Sequence, residues 1–436
     1  MTVPALIIAA PSSGSGKTIV TLGLLRHLRA AGVRLGSFKV GPDYIDPAFH
    51  AAASGRVCVN LDPWAMRPAI IESLIADAAN GADLVIGEGV MGLFDGAADG
   101  TGSTADLAAR LGIPVVLVID VRGQGASAAA VAQGFAKFRD DVDIAGIILN
   151  RTGSDTHARM IEDACRVIGV PVLGAIRRDE GLVLPDRHLG LVQAGERPNL
   201  DRFLDGAAAT IGRAVDTEAL RAAARPFSMS AAADASPLPP LGQRIAVARD
   251  IAFAFAYSHM LSGWAAQGAE ILTFSPLADE APADHADAVF LPGGYPELHA
   301  GRLAANANFL GGLHAAAARN VAIHGECGGY MVLGAGLTDA DGTRHAMAGL
   351  LPLETSFASR RLTLGYRAVL LNEIGVLGLA GAAFRGHEFH YATIITEDRD
   401  RPLFATRDAR GRDIGPVGSI RGSVQGSFVH LIDAAE

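Results

Sequence analysis

The run Pro11-Ser12-Ser13-Gly14-Ser15-Gly16-Lys17-Thr18 follows an apolar stretch and precedes a helix-like one. Glycines in that setting let a backbone wrap phosphates, and amides at a helix start point at an anion. Ser13, Gly14, Ser15, Gly16, Lys17 and Thr18 are therefore candidate nucleotide-binding residues. Lys17 is expected to reach the β- and γ-phosphates of ATP, and the Thr18 hydroxyl to bind Mg²⁺. Pro11 stands where such loops usually carry their first glycine. A partition-type nucleotide switch would place an additional lysine where this chain has Ser12, which disfavours that class.

Mg²⁺ needs further oxygen ligands, typically one or two carboxylates at strand ends. Asp46, in Lys39-Val40-Gly41-Pro42-Asp43-Tyr44-Ile45-Asp46-Pro47, and Glu88, in Gly87-Glu88-Gly89-Val90-Met91-Gly92-Leu93-Phe94-Asp95-Gly96, both follow predicted strands. Asp43 and Asp95 read equally well as solvated loop carboxylates. Lys39 is a candidate to neutralise charge on a transferring phosphoryl group. Asn150, at the end of an apolar strand, could read adenine through its amide or simply cap the strand end.

His324-Gly325-Glu326-Cys327-Gly328-Gly329 lies between an apolar strand and a helix-like run, the setting of a nucleophile elbow. Cys327 at a helix start is expected to have a lowered pKa and to attack a side-chain amide. Leu291-Pro292-Gly293-Gly294-Tyr295 follows another strand, so the Gly294 amide could join that of Gly328 in an oxyanion hole. Cys58 and Cys165 lack such surroundings and read as buried fillers. On a strand, Glu388 and His390 would share a face and His387 would point away, which suits structural or substrate contacts better than a metal site. A site that energises a carboxylate with a nucleotide, joined to one that frees ammonia from an amide, reads as ATP-driven, glutamine-dependent amidation.

Both motifs must be positioned by sheets. β-rich runs at 5–10, 35–40, 82–87, 114–120, 144–150 and 171–176 alternate with Ala/Leu-rich segments at 18–31, 104–111 and 126–138. Nearly all-apolar strands alternating with helices imply a doubly wound parallel sheet covered on both faces. Between 226 and 243 the composition turns to Ser, Ala and Pro, a linker signature. A second α/β pattern follows through 244–247, 270–274, 288–291 and 321–324, with a tail richer in β structure from about 350. The expected organisation is thus α/β throughout: a nucleotide-binding synthetase domain at 1–225, a linker at 226–243, and an amidotransferase-like domain at 244–436.

At 436 residues, half of them apolar and 19% charged, the chain can bury two sizeable cores. A net charge of -9 argues against a nucleic-acid surface. Three cysteines point to a reducing compartment, and the absence of a signal-like N-terminus or a long apolar run suggests a cytoplasmic protein without a membrane partner. Lys17, Lys39 and Lys137 are its only lysines, and two of the three fall in the motifs above. Where arginine serves almost every other basic position, a compact ammonium is expected to matter there.

At residues 39–47 and 88–96 the chain resembles the cobyrinic acid and hydrogenobyrinic acid a,c-diamide synthases. Asn60-Leu61-Asp62-Pro63-Trp64, Asn150-Arg151, Arg187-His188-Leu189-Gly190-Leu191 and the Cys327 elbow extend the likeness over essentially the whole chain. The resemblance implies a synthetase domain similar to dethiobiotin synthetase joined to a class I glutamine amidotransferase domain. It also implies the substrates: ATP, glutamine and a corrinoid polycarboxylate amidated at its a and c acetates. A homodimer is compatible with it. By the same likeness His430, in Gly426-Ser427-Phe428-Val429-His430-Leu431, matches the base that serves the nucleophile. Many class I amidotransferases have a glutamate two residues later; here that residue is Ile432, so a Cys-His pair is expected. Rival readings are a nickel-sirohydrochlorin a,c-diamide synthase, a cobyric acid synthase, or a nucleotide switch with an inert amidotransferase-like domain.

Overall fold

The computed structural model describes residues 3–179, 181–182, 186–187, 190–229, 236–397 and 400–435. His188 and Leu189 of the Arg187–Leu191 run, and 230–235 of the Ser/Ala/Pro stretch, lie outside the described residues. The chain forms two compact units: Met1–Trp64 with Pro68–Ala235, and Ala65–Arg67 with Ser236–Glu436. Among the described residues, no helix is long and apolar enough to cross a membrane.

The first unit alternates strands and helices: β1 (Pro4–Ala9), α1 (Lys17–Ala30), β2 (Leu35–Val40), α2 (Asp46–Ser54), β3 (Cys58–Leu61), α3 (Pro68–Ala79), β4 (Leu84–Glu88), α4 (Thr104–Leu111), β5 (Val115–Asp120), α5 (Ser127–Phe138), β6 (Ile144–Thr152), α6 (Asp155–Val167) and β7 (Val172–Arg177). The seven strands run parallel in the order β3-β2-β4-β1-β5-β6-β7, and Arg225–Pro226, at the start of the predicted linker, pairs antiparallel with β1. Leu6, Ile7 and Ile8 in β1, and Val116, Leu117 and Val118 in β5, are fully buried. Each such side chain stabilises the fold by about 1.5–3 kcal/mol relative to an exposed one. Helix α4 starts at a capping box in which Ser103 and Asp106 satisfy each other's backbone amides.

Register decides what meets at the carboxyl edge of this sheet. Lys39 of β2 and Ile8 of β1 both lie opposite Glu88 of β4, and Asp120 of β5 lies opposite Asn150 of β6. The strand order turns back beside β1, so the loop after β1 opens at the switch point where ligands bind in such sheets. Strand β3 escaped the sequence reading because it is only four residues long and holds Asn60, whose amide donates to the Gly41 and Asp43 carbonyls.

The second unit has a six-stranded sheet ordered Glu270–Phe274, Arg244–Ala248, Ala288–Leu291, Ala322–Glu326, Val424–Ser427, Ser419–Arg421, parallel except for the last. The β-rich tail supplies a five-stranded antiparallel sheet ordered Asp413–Val417, Phe404–Asp408, Thr363–Leu371, Ala383–His390, Val429–Ala434. The chain steps from the first sheet to the second across Phe428 alone, since one strand ends at Ser427 and the next begins at Val429. That step carries His430 toward the end of the Ala322–Glu326 strand, where the Cys327 amide donates to the Ser427 carbonyl at 2.8 Å.

Candidate active sites

The loop between β1 and α1 is held from the neighbouring strands. Gly14 and Gly16 have φ of 78° and 91°, and a Cβ on Gly16 would stand 2.2 Å from Asn150 Nδ2. Only glycine fits there. Asn150, which the sequence offers as a reader of adenine or as a cap of its strand end, uses both ends of its amide locally. Its Nδ2 donates to the Ser15 carbonyl at 2.8 Å, and its Oδ1 accepts from the Arg151 amide at 3.0 Å. Arg151, itself at φ 61°, donates to the Gly14 carbonyl at 2.8 Å and to Asp120 at 2.6 Å. The sequence reading passed over this brace because it joins residues more than a hundred positions apart.

Thr18, Lys39, Asp46 and Glu88 converge. The Thr18 hydroxyl donates to Glu88 Oε1 at 2.6 Å, and Lys39 Nζ lies 3.3 Å from the same oxygen and 3.0 Å from Asp46 Oδ2. Lys39 also donates to the Gly89 carbonyl at 2.9 Å. Behind Glu88, His50 Nε2 sits 2.7 Å from Oε2, and the Cys58 sulfur lies 3.6 Å from His50 Nδ1. Cys58 is therefore not a plain filler but part of this buried polar chain.

Burial lowers Lys17 and the nearby Lys39 lowers it further, against the pull of Glu88 and Asp46. Burial works against the charged form of Lys39 too, yet Glu88 and Asp46 more than offset it and keep that ammonium firmly protonated. Burial would raise Glu88, but Lys39 and His50 hold it well below the usual carboxylate range. Burial, then Asp43, pushes Asp46 upward against Lys39. For His50, burial is outweighed by Cys58 and Glu88, which raise it to about 10.

Among the described residues, no group of three or more His, Cys, Asp or Glu side chains forms a metal cage. Mg²⁺ does not require one, because it keeps several waters and takes one or two carboxylates beside substrate phosphates. Thr18, Glu88 and Asp46 are hard oxygen donors at the foot of an anion-binding loop, and Asp46 and Glu88 meet on one ammonium. That set fits Mg²⁺. Asp43 and Asp95 are used by their own loops, Asp43 accepting from the Ile45 and Asp46 amides and Asp95 from the Gly92 amide.

In the second unit Cys327 occupies a strained turn, φ 46° and ψ −103°, between the Ala322–Glu326 strand and the Gly328–Leu333 helix. A Cβ on Gly328 would stand 3.0 Å from the Gly294 backbone nitrogen, so the two backbones proposed as oxyanion donors are adjacent. A Cβ on Gly293 would lie 2.4 Å from His430 Cε1, 3.2 Å from its Nε2 and 3.4 Å from Cys327 Cβ. Gly293 thus borders both the thiol residue and the Nε2 edge of the imidazole.

The expectation of a lowered Cys327 pKa is overturned. Burial raises the thiol well above its ordinary value, and Glu297, Glu388 and Glu326 raise it further against the single Gly328 amide. The helix that follows has only six residues, too little to outweigh that ring of carboxylates. The thiol is held protonated, its sulfur 4.0 Å from the Phe389 carbonyl.

Glu388 and His390 share a face as expected, 3.0 Å apart, with Glu388 also accepting from Arg367 at 2.7 Å. His387 points the other way, into the site, its ring 5.3 Å from that of His430. The sequence reading missed Glu326. Strand alternation assigns it the face opposite Cys327, and only the turn at Cys327 lets both residues approach His430.

Residues 6–192 match the CobQ/CobB/MinD/ParA nucleotide binding domain family, and residues 244–436 match the CobB/CobQ-like glutamine amidotransferase domain family. The chain is 56% identical over 432 residues to the hydrogenobyrinate a,c-diamide synthase of Rhizobium meliloti, covering 99% of both. It is 57% identical to the enzyme of that name from a Sinorhizobium species, again over 99% of each chain. To the one from Mesorhizobium japonicum it is 53% identical, over 100% of both.

Proposed function

The chain belongs to the hydrogenobyrinate a,c-diamide synthase family, and we propose that it amidates the a and c acetate carboxylates of hydrogenobyrinic or cobyrinic acid. It is a glutamine-dependent carbon–nitrogen ligase of cobalamin biosynthesis that uses ATP. The observation that carries this reading is the near-full-length relationship to enzymes of that name, which spans both candidate sites at once.

In the amidotransferase unit, Cys327 attacks the side-chain amide of glutamine. His430 takes the thiol proton and returns it to the departing nitrogen, while the Gly294 and Gly328 amides hold the oxyanion. Ammonia leaves, and water hydrolyses the remaining glutamyl thioester. In the nucleotide unit, the amides of Ser13 to Thr18 and the Lys17 ammonium hold the ATP phosphates, on a loop braced by Asn150. Lys39 stabilises charge on the transferring phosphoryl group. Thr18, Glu88 and Asp46 would hold Mg²⁺, which when bound would neutralise phosphate charge. The substrate carboxylate accepts the γ-phosphoryl group to give an acyl phosphate, and ammonia displaces phosphate to give the amide. Activation is needed because a carboxylate is a poor electrophile at neutral pH.

Mass spectrometry of products formed from hydrogenobyrinic and cobyrinic acids with ATP, Mg²⁺ and glutamine tests the assignment. Two successive exchanges of a hydroxyl for an amino group are expected. Recovery of both acids unchanged by an enzyme with intact glutaminase activity would overturn it.

A further inference from the structure

Glu326 lies directly before the nucleophile, and its carboxylate is almost wholly buried behind His430. Oε2 stands 3.7 Å from His430 Nδ1, Oε1 stands 3.6 Å from His324 Nε2, and Oε1 accepts the Leu431 amide at 3.2 Å. The opposite edge of the His430 ring, carrying Nε2, faces Gly293 beside Cys327. The imidazole therefore has a carboxylate beside Nδ1, while its Cε1–Nε2 edge borders the glycine that also borders Cys327.

We infer that Glu326 is a positioning residue of the ammonia-releasing site, orienting the His430 ring through Nδ1 so that Nε2 takes the Cys327 proton. It fills the role that the chain leaves empty at Ile432, from the opposite side of the sequence. The inference rests on the reading of Cys327 and His430 as the reacting pair.

Two observations support it beyond distance. A carboxylate out of water costs several kcal/mol unless charge or hydrogen bonds compensate it, so an unassigned buried one calls for a reason. Burial raises this carboxyl, yet His324 and His430 bring it below its ordinary value, which keeps it anionic. Its distance to His430 is longer than a closed hydrogen bond, as is common at catalytic contacts before substrate binds.

The proton accounting is direct. With Glu326 anionic, Nδ1 carries the ring proton and the Nε2 lone pair faces the thiol. As sulfur bonds to the amide carbon, the thiol proton passes to Nε2, and Glu326 stabilises the resulting imidazolium. That proton then goes to the amide nitrogen, the carbon–nitrogen bond breaks, and ammonia departs from the thioester. Because the resting thiol is protonated, this transfer belongs to the attack itself.

Among the described residues, Glu326 stands at His430 Nδ1, the His387 ring lies beside the His430 ring, Cys327 lies across Gly293 from it, and His324 reaches Glu326. Arg367 acts on His387, and Glu297 and Glu388 act on Cys327. Of these, only Glu326 puts an anion at Nδ1.

The test compares Glu326→Gln and Glu326→Asp in the full chain. The readouts are glutamine-supported turnover, ammonia-supported turnover, and the pH profile of inactivation by the electrophilic glutamine analogue 6-diazo-5-oxo-norleucine. The Gln variant is expected to lose about 10²-fold or more of glutamine-supported kcat, in line with loss of the third group in such arrangements. Its ammonia-supported turnover should persist, and the acid limb of its inactivation profile should move to lower pH as the imidazolium loses its neighbouring anion. The Asp variant should recover part of the activity.

Adding Glu326→Gln to His430→Ala should cost nothing further, and an equal additional loss in that background would overturn the inference whether or not the single variant folds perfectly. A wild-type profile and turnover in Glu326→Gln would also overturn it. Retained glutamine turnover in Cys327→Ala or His430→Ala would instead remove the underlying reading, so the two failures are distinguishable.

Discussion

The Thr18 hydroxyl donates to Glu88 Oε1 at 2.6 Å, joining the start of α1 to the end of β4 across 70 positions of sequence. Lys39 and His50 hold the same carboxylate from two other elements. One side chain thereby ties the phosphate loop to the buried charges beneath it. Glu88→Gln would remove the carboxylate that pairs with His50 and leave Lys39 with Asp46. Breaking a buried pair in this way destabilises by about 3–5 kcal/mol. The expected result is a lower unfolding transition and a higher Mg²⁺ concentration needed for ATP turnover, measured by thermal unfolding and a metal titration. Unchanged values in both would remove Glu88 from the site.

Lys17→Ala and Cys327→Ala should separate the two chemistries. Loss of Lys17 is expected to abolish turnover with either nitrogen source, because both need an activated carboxylate. Loss of Cys327 should abolish only the glutamine-supported reaction. Steady-state assays with glutamine and with ammonium salt read the difference, and equal loss of both in Cys327→Ala would place that thiol outside ammonia release.

Glu297 and Glu388 help to keep the Cys327 thiol protonated. Removing an anion lowers the cost of a thiolate, so Glu297→Gln should raise the thiolate fraction at neutral pH. Iodoacetamide should then alkylate Cys327 faster than in the parent protein at pH 7, a comparison read by peptide mass spectrometry. Slower or equal alkylation would contradict the field drawn from these carboxylates.

His387 gives a pH dependence whose sign can be worked out. Burial, then His430 and Arg367, push its pKa well below the ordinary histidine value, so the folded chain keeps it neutral where the unfolded chain takes up a proton. Its contribution to stability is complete above about pH 6.5 and is lost as pH falls toward the depressed folded value, at about 1.4 kcal/mol per pH unit. His387→Gln should flatten the fall in melting temperature between pH 6.5 and 5. An equally steep fall in the variant would show that His387 is not its source.

Contiguous chemistry was legible in the sequence. The phosphate loop and the nucleophile elbow each need glycines at fixed offsets beside a reactive residue, so local order alone reveals them. Lys39 and Glu88 were legible because strand ends of a parallel sheet share one edge, and Asp46, at the start of the helix after β2, meets Lys39 there. What stayed hidden depends on partners far along the chain. Asn150 and Arg151 brace the loop through its carbonyls, which no composition or spacing announces. The charge state of Cys327 depends first on its burial and then on Glu297 and Glu388, which approach from other elements, whereas the sequence shows only the helix that follows. Glu326 was visible as a residue, but its role depends on a second sheet that folds back over it.

The protonated state of Cys327 has a bearing on survival of the resting protein. Peroxides attack thiolates, and progress from sulfenic to sulfinic acid would end nitrogen donation for good. A sulfur kept neutral by burial and by nearby carboxylates is a poor target. The burial and charge that make this cysteine slow to ionise would also slow its oxidation.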